Sequence, residues 1–113
     1  MKNKNQSLII LAQEYFDCWA KKDLSSLESI FATDVSLKDW NISSEGRDAV
    51  LKSNAQIFES VEKLSVKIHS LSQVGDRVIA EITVMVDDNE IPVVDIIEFS
   101  SSKISSITAY RGN

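Results

Sequence analysis

The sequence predicts an α+β domain in which helices lie on one face of an antiparallel sheet. Three observations predict it. Apolar residues in the first half recur at three- and four-residue steps, those in the second half alternate, and the alternating segments are separated by short turn-forming runs.

Each element has its own signal. The first helical stripe is Leu8, Leu11, Ala12, Tyr15 and Trp19, with Phe16 and Cys18 beside it. Asp23 reads as the N-cap of a short second helix carrying Leu24, Leu27, Ile30 and Phe31, because a short carboxylate can accept from the free amides of a first turn. After Asp34 the period falls to two, with Val35, Leu37 and Asp39 on one face and Ser36, Lys38 and Trp40 on the other. Asn41 to Gly46 is turn-like. A third helix from about Arg47 to Val61 would turn Val50, Asn54, Ile57, Phe58 and Val61 inward. Strands follow over residues 64–74, 78–86, 91–99 and 104–111. They are broken at Gly75-Asp76-Arg77, Asp87-Asp88-Asn89 and Ser100-Ser101-Ser102-Lys103, runs whose residues tolerate tight turns. With no internal repeat or linker, residues 1–113 read as a single domain.

Composition narrows the function. Hydrophobic residues at 43% and charged residues at 26% suit a folded globule. A net charge of −5 with scattered Lys and Arg disfavours nucleic acid or an anionic membrane as partner, since both need a concentrated basic surface. Cys18 is the lone cysteine and His69 the lone histidine, so neither an internal disulfide nor a zinc cluster can be built, and no metal is expected. Lys2 and Lys4 ahead of Leu8 to Ala12 imitate a secretory leader, but Gln13 and Glu14 interrupt the apolar run too soon. A cytoplasmic protein is therefore expected.

Three hydrogen-bonding residues interrupt apolar rows: Tyr15 on the first helical stripe, Asp39 after Val35 and Leu37, and Asp95 within Ile91, Val93, Asp95, Ile97 and Phe99. An inward carboxylate costs roughly several kcal/mol unless it is paired, hydrogen-bonded or protonated. Two carboxyls and a phenol facing one cavity would form an acid–base site. Each has a plainer explanation. Tyr15 could be a core residue with its hydroxyl at the rim, Asp39 could cap Asn41 in a turn, and Asp95 could face outward.

The run Tyr15-Phe16-Asp17-Cys18-Trp19-Ala20-Lys21-Lys22-Asp23-Leu24 resembles the opening of ketosteroid isomerase-like and SnoaL-like proteins of the nuclear transport factor 2-like superfamily. So do Leu27, Ile30-Phe31-Ala32, Asp34-Val35, Gly46-Arg47-Asp48-Ala49-Val50, and Val94 to Phe99 through Lys103-Ile104 to Ala109-Tyr110. The likeness spans about residues 8 to 112 and implies a cone: three helices on a curved antiparallel sheet enclosing a pocket. It also implies roles. Asp39 matches the general base, Tyr15 the oxyanion-binding tyrosine, and Asp95 a second oxyanion donor kept protonated, in a cofactor-independent isomerase, or a related lyase or cyclase, acting on a carbonyl compound. A non-catalytic ligand binder or a dimerising module of the same fold are the alternatives.

The expected pocket also takes Trp19, Asn54, Phe58, Ile107, Ala109 and Arg111, with Trp40 a further aromatic near it. Arg111 stands where the steroid isomerases carry an aromatic. A guanidinium there would favour ionised Asp95, which argues against a steroid substrate and leaves three alternatives: an arginine turned to the mouth, an anionic ligand, or no steroid-type mechanism. His69, in phase with Ser65 and Lys67, should face solvent or a subunit interface, and Cys18 should be a small hydrophobe. The acidic run Asp87 to Glu90 fits a solvated turn. Val94, Ile96 and Tyr110 fall on the opposite sheet face, which predicts a homodimer through that surface.

Overall fold

A computed structural model describes residues 7–113, and the basic pair Lys2 and Lys4 lies outside them. The chain forms helices α1 (Leu8–Ala20) and α2 (Leu24–Ile30), strands β1 (Phe31–Lys38) and β2 (Ser43–Glu45), helix α3 (Arg47–Ser60), and strands β3 (Leu64–Val74), β4 (Arg77–Val86), β5 (Asn89–Ser100) and β6 (Lys103–Arg111). The six strands make one sheet in the order β2-β1-β6-β5-β4-β3. Three helices against a curved sheet is the α+β architecture expected from the sequence.

Local chemistry sets the element boundaries. Ser7 caps α1 by accepting from the Ile9 amide at 3.2 Å. The helix closes at Lys22, whose left-handed φ of 58° lets the Asp23 amide donate back to the Cys18 carbonyl at 3.0 Å. Asp23 then caps α2 through the Ser26 amide, as expected. Gly46 precedes α3 at φ 91°, a conformation that a side chain would strain, and its own amide donates to Val35 at 2.8 Å. All three turns expected between the later strands are present. Two rest on residues with positive φ that are not glycine: Asp87, and the pair Ser101 and Ser102.

Three features differ from the sequence reading. Phe31 opens β1 instead of closing α2: its backbone is extended at φ −81° and ψ 138° while its ring stays buried. The segment read as a turn holds the short strand β2, paired with β1 at Ser36–Glu45, Leu37–Ser44 and Lys38–Ser43. The sheet is also mixed, because β1 runs parallel to β6, pairing Leu37 with Ile107 and Lys38 with Thr108. Alternation gives a strand's faces but not its partner's direction, so this pairing had no signal in the sequence.

Besides a register shift between Phe31 and Ser36 where β1 meets β6, two irregularities bend the sheet around the helices. One lies between Ile68 and Ser70 on β3, the other between Glu98 and Phe99 where β5 meets β6. The core fills the concave side, with Ala12, Leu27, Phe31, Val35, Val50, Val78, Ile97 and Ile104 at or near complete burial. Ile97 sits mid-sheet between β4 and β6. Ile97→Ala should therefore lower unfolding free energy by about 2–5 kcal/mol, read as a shifted denaturation midpoint with unchanged slope.

Candidate functional site

The register brings the site together. Leu37, Ile107 and Ile97 lie side by side across β1, β6 and β5. One inward step toward the same end of the sheet are Asp39, Ala109 and Asp95. Asp95 and Asp39 thus approach the same end of the sheet on either side of β6, with Asp39 one residue beyond the end of β1. Asp95 pairs with Ala109 on one side and Ala80 on the other. Both neighbours are the smallest side chains available to a strand face, so the sheet does not fill the space above Asp95.

What remains is a hollow of about 160 Å³ under α1 and α3. Tyr15, Asp39 and Asp95 all line it, as do Trp19, Asn54, Ile107 and Ala109. Two expected lining residues do not. Phe58 is buried with its ring edge against Trp19 at 5.9 Å, where it packs the helix layer. Arg111 is exposed and stacks its guanidinium over Trp40, 5.8 Å from the ring centroid. The alternation was read correctly for Arg111, but β6 ends there and the long side chain reaches out over the rim.

Trp40 itself lines the cavity although strand phase placed it opposite Asp39. The strand stops at Lys38, so strict alternation no longer applies. Phe16, Leu37, Ile57 and the apolar residues of β3 to β5 complete the wall. Their only signal in the sequence was ordinary inward phase, which also describes a packed core.

The polar groups differ in how they are held. Asp39 does cap its turn, as the plainer reading supposed: its Oδ1 accepts from the Asn41 amide at 2.7 Å and the Ile42 amide at 2.6 Å. The same carboxyl still faces the hollow, so capping fixes its direction. Asn54 is fully engaged, accepting from Trp19 Nε1 at 2.8 Å and donating to the Val50 carbonyl at 3.0 Å. It is a brace that sets the Trp19 ring. Tyr15 packs against Phe16 and Phe31 at ring separations of 5.2 and 6.1 Å.

Asp95 is the outlier. It is 7% exposed, and desolvation by burial, followed by the negative charge of Asp39, raises its carboxyl pKa to about 7. Burial, then the charge of Asp95, holds the Tyr15 hydroxyl well above its ordinary range, so it stays a neutral donor. No hydrogen bond from a described residue contributes to either shift. Both groups are left free for something in the cavity.

The remaining candidates are peripheral. His69 is exposed, with Nε2 2.7 Å from the Thr83 hydroxyl. Burial and then Asp23 push the half-buried Cys18 thiol up, away from a nucleophilic thiolate. Asp87 Oδ1 accepts from the Glu62 and Lys63 amides at 2.9 Å each, tying the end of α3 to the turn after β4.

A family model described as a SnoaL-like domain matches residues 12–107. The chain belongs to the SnoaL-like family. No curated protein matches it in sequence. Its fold is shared with an NTF2-like protein of Cytophaga hutchinsonii at TM-score 0.82 and 13% identity, covering 97% of this chain and 95% of that one. A protein with a ketosteroid isomerase-like fold from Catenulispora acidiphila, in complex with trimethylamine, superposes at TM-score 0.80 and 18% identity over 88% and 83% of the two chains. An LEH-like epoxide hydrolase of M. tuberculosis gives TM-score 0.77 and 15% identity over 92% and 81%. These likenesses give this SnoaL-like chain its fold and leave its chemistry to its own residues.

The raised Asp95 pKa fixes a sign for stability. Unfolded, the group titrates near the ordinary aspartate value of 3.8; folded, at about 7. Between those values the folded chain binds more protons, so this group's contribution to stability falls as pH rises through the window. Asp95→Asn should leave stability little changed at about pH 4 and raise it at about pH 8, on the order of a few kcal/mol at about 1.4 per unit. Chemical denaturation across that range checks it, and a parent with flat pH dependence there would contradict the assignment.

Proposed function

We propose that this SnoaL-like chain binds a small molecule in the hollow beneath α1 and α3 and moves protons on it as a cofactor-independent isomerase of a carbonyl compound. The observation that carries the reading is Asp95: a buried carboxyl without a partner among the described residues, beside neutral Tyr15 and opposite Asp39. Such a group is costly to keep in a purely structural role. The likeness to a fold that holds trimethylamine in one protein, and serves an epoxide hydrolase in another, is consistent with a ligand at this place.

In this reading Asp39 takes a proton from the carbon next to the carbonyl, and the C–H electron pair moves into an enolate. Tyr15 and protonated Asp95 donate hydrogen bonds to the enolate oxygen. Protonated Asp39 then returns the proton at the far carbon of the conjugated system, leaving the double bond moved and the protein unchanged. A positioned base contributes about 10²–10⁴ in rate, and one oxyanion donor about 10²–10³. Size selects the substrate. An apolar cavity of about 150 Å³ holds one benzene in another protein, so this hollow has room for a single small ring and not a fused-ring steroid.

A suitable probe is 3-cyclohexen-1-one, whose conversion to the conjugated ketone is followed by ultraviolet absorbance. Turnover above buffer should fall at least about 10²-fold in Asp39→Asn, which can still accept from the Asn41 and Ile42 amides. Activity should also decline as pH rises through about 7, where Asp95 loses the proton it donates. Equal rates in parent and Asp39→Asn would remove Asp39 as base.

A second reading concerns assembly. Val94 pairs with Tyr110 and Ile79 with Ile96 on the convex sheet face, where Val94, Ile79 and Tyr110 are 36%, 38% and 58% exposed. We infer that two copies cover this surface. Light scattering at micromolar concentration should give twice the chain mass of 12.6 kDa, and a clean monomer would overturn the inference.

A further inference from the structure

Every charged or titratable group that faces the hollow is an acid. Tyr15 comes from α1, Asp39 from the end of β1 and Asp95 from β5, while α3, β3, β4 and β6 contribute no titratable group to the lining. The cation Arg111 is exposed, sits over Trp40 and is not part of the lining. Apart from the Asn54 amide, which is bonded to Trp19 and Val50, the rest of the surface is apolar or aromatic, with four aromatic side chains: Tyr15, Phe16, Trp19 and Trp40. Aromatic faces and carboxylates both favour positive charge, and both do so more strongly where water is scarce. Among the described residues, the lining holds no cationic side chain to neutralise an anion.

We propose that the molecule held in this cavity is a small organic cation: an ammonium compound whose apolar body is about one ring in size. The proposal rests on the hollow being a ligand site and names the class of ligand. It also bears on the proton transfer: a substrate that carries its own positive charge offsets the enolate charge that no cationic side chain of the described lining balances. Trp19, braced by Asn54, presents a fixed aromatic surface, and Asp39, fixed by its two amide bonds, is the first counter-charge. Asp95 becomes the second as it ionises.

The test uses three single-ring probes of similar size and different charge, titrated calorimetrically into the full chain: benzylamine, benzyl alcohol and benzoate. Benzylamine, which stays protonated throughout, should bind at least about tenfold more tightly than benzyl alcohol at pH about 8, and benzoate should bind least. The gap should narrow at pH about 5.5, where Asp95 is protonated, and benzylamine binding near pH 7 should release protons into the buffer as Asp95 gives up its own. Asp95→Asn should cut the preference for benzylamine over benzyl alcohol at pH about 8 and abolish the proton release. Ala109→Leu, which fills the space between the carboxyls, should weaken both ligands.

Benzyl alcohol or benzoate binding as tightly as benzylamine would overturn the proposal and leave the ligand site standing. No binding by any of the three would overturn both. Selective benzylamine binding that survives Ala109→Leu would place the amine on the acidic surface and also overturn it. Because binding is read without turnover, an inactive parent in the cyclohexenone assay would not touch this result.

Discussion

The arrangement of the site depends on one constraint: a carboxyl group buried mid-sheet with alanine on both sides. Removing a carboxylate from water without replacing its hydrogen bonds is among the costliest things a fold can do. Asp95 answers that cost by holding its proton up to about neutral pH, not by finding a partner. The two flanking alanines keep the space above it open, so the group stays available to whatever enters. A leucine in place of Ala109, which lines the hollow, would fill that space and give a better-packed and functionally empty core.

The parallel pairing of β1 with β6 turns one odd residue into a site. It carries the chain end of β1 to the same edge as Asp95, and the turn that follows locks Asp39 in place. The charge of Asp39 then adds to the effect of burial on Asp95, and that of Asp95 to the effect of burial on Tyr15. Each acid thus favours the protonated form of the next. The described lining holds no cationic side chain, which is why its electrostatics favour a cationic guest over an anionic one.

Much of this was legible in the amino-acid pattern, because it rests on period and on local chemistry. The helical stripe through Tyr15, the cap at Asp23 and the in-phase row around Asp95 each follow from short-range rules. Long-range facts were hidden. Nothing in the β1 segment announces its parallel partner, and nothing near Arg111 says that Trp40 will draw its guanidinium to the rim. Trp40 reads as an aromatic near the pocket, but it lies two residues past the end of β1, where strand phase no longer gives its direction. Phe58 was misplaced because an inward helical phase does not distinguish a residue packed between layers from one lining a void. The family likeness pointed to the acids but carried no information on the hollow's volume of about 160 Å³.

The most direct test of the account is the titration of the Asp95 side-chain carbon by carbon-13 nuclear magnetic resonance. A single inflection near pH 7 is the predicted result, moved downward when the charge of Asp39 is removed by Asp39→Asn. An inflection in the ordinary carboxylate range, near about 4, would show Asp95 paired or hydrated in solution and would contradict the site described here.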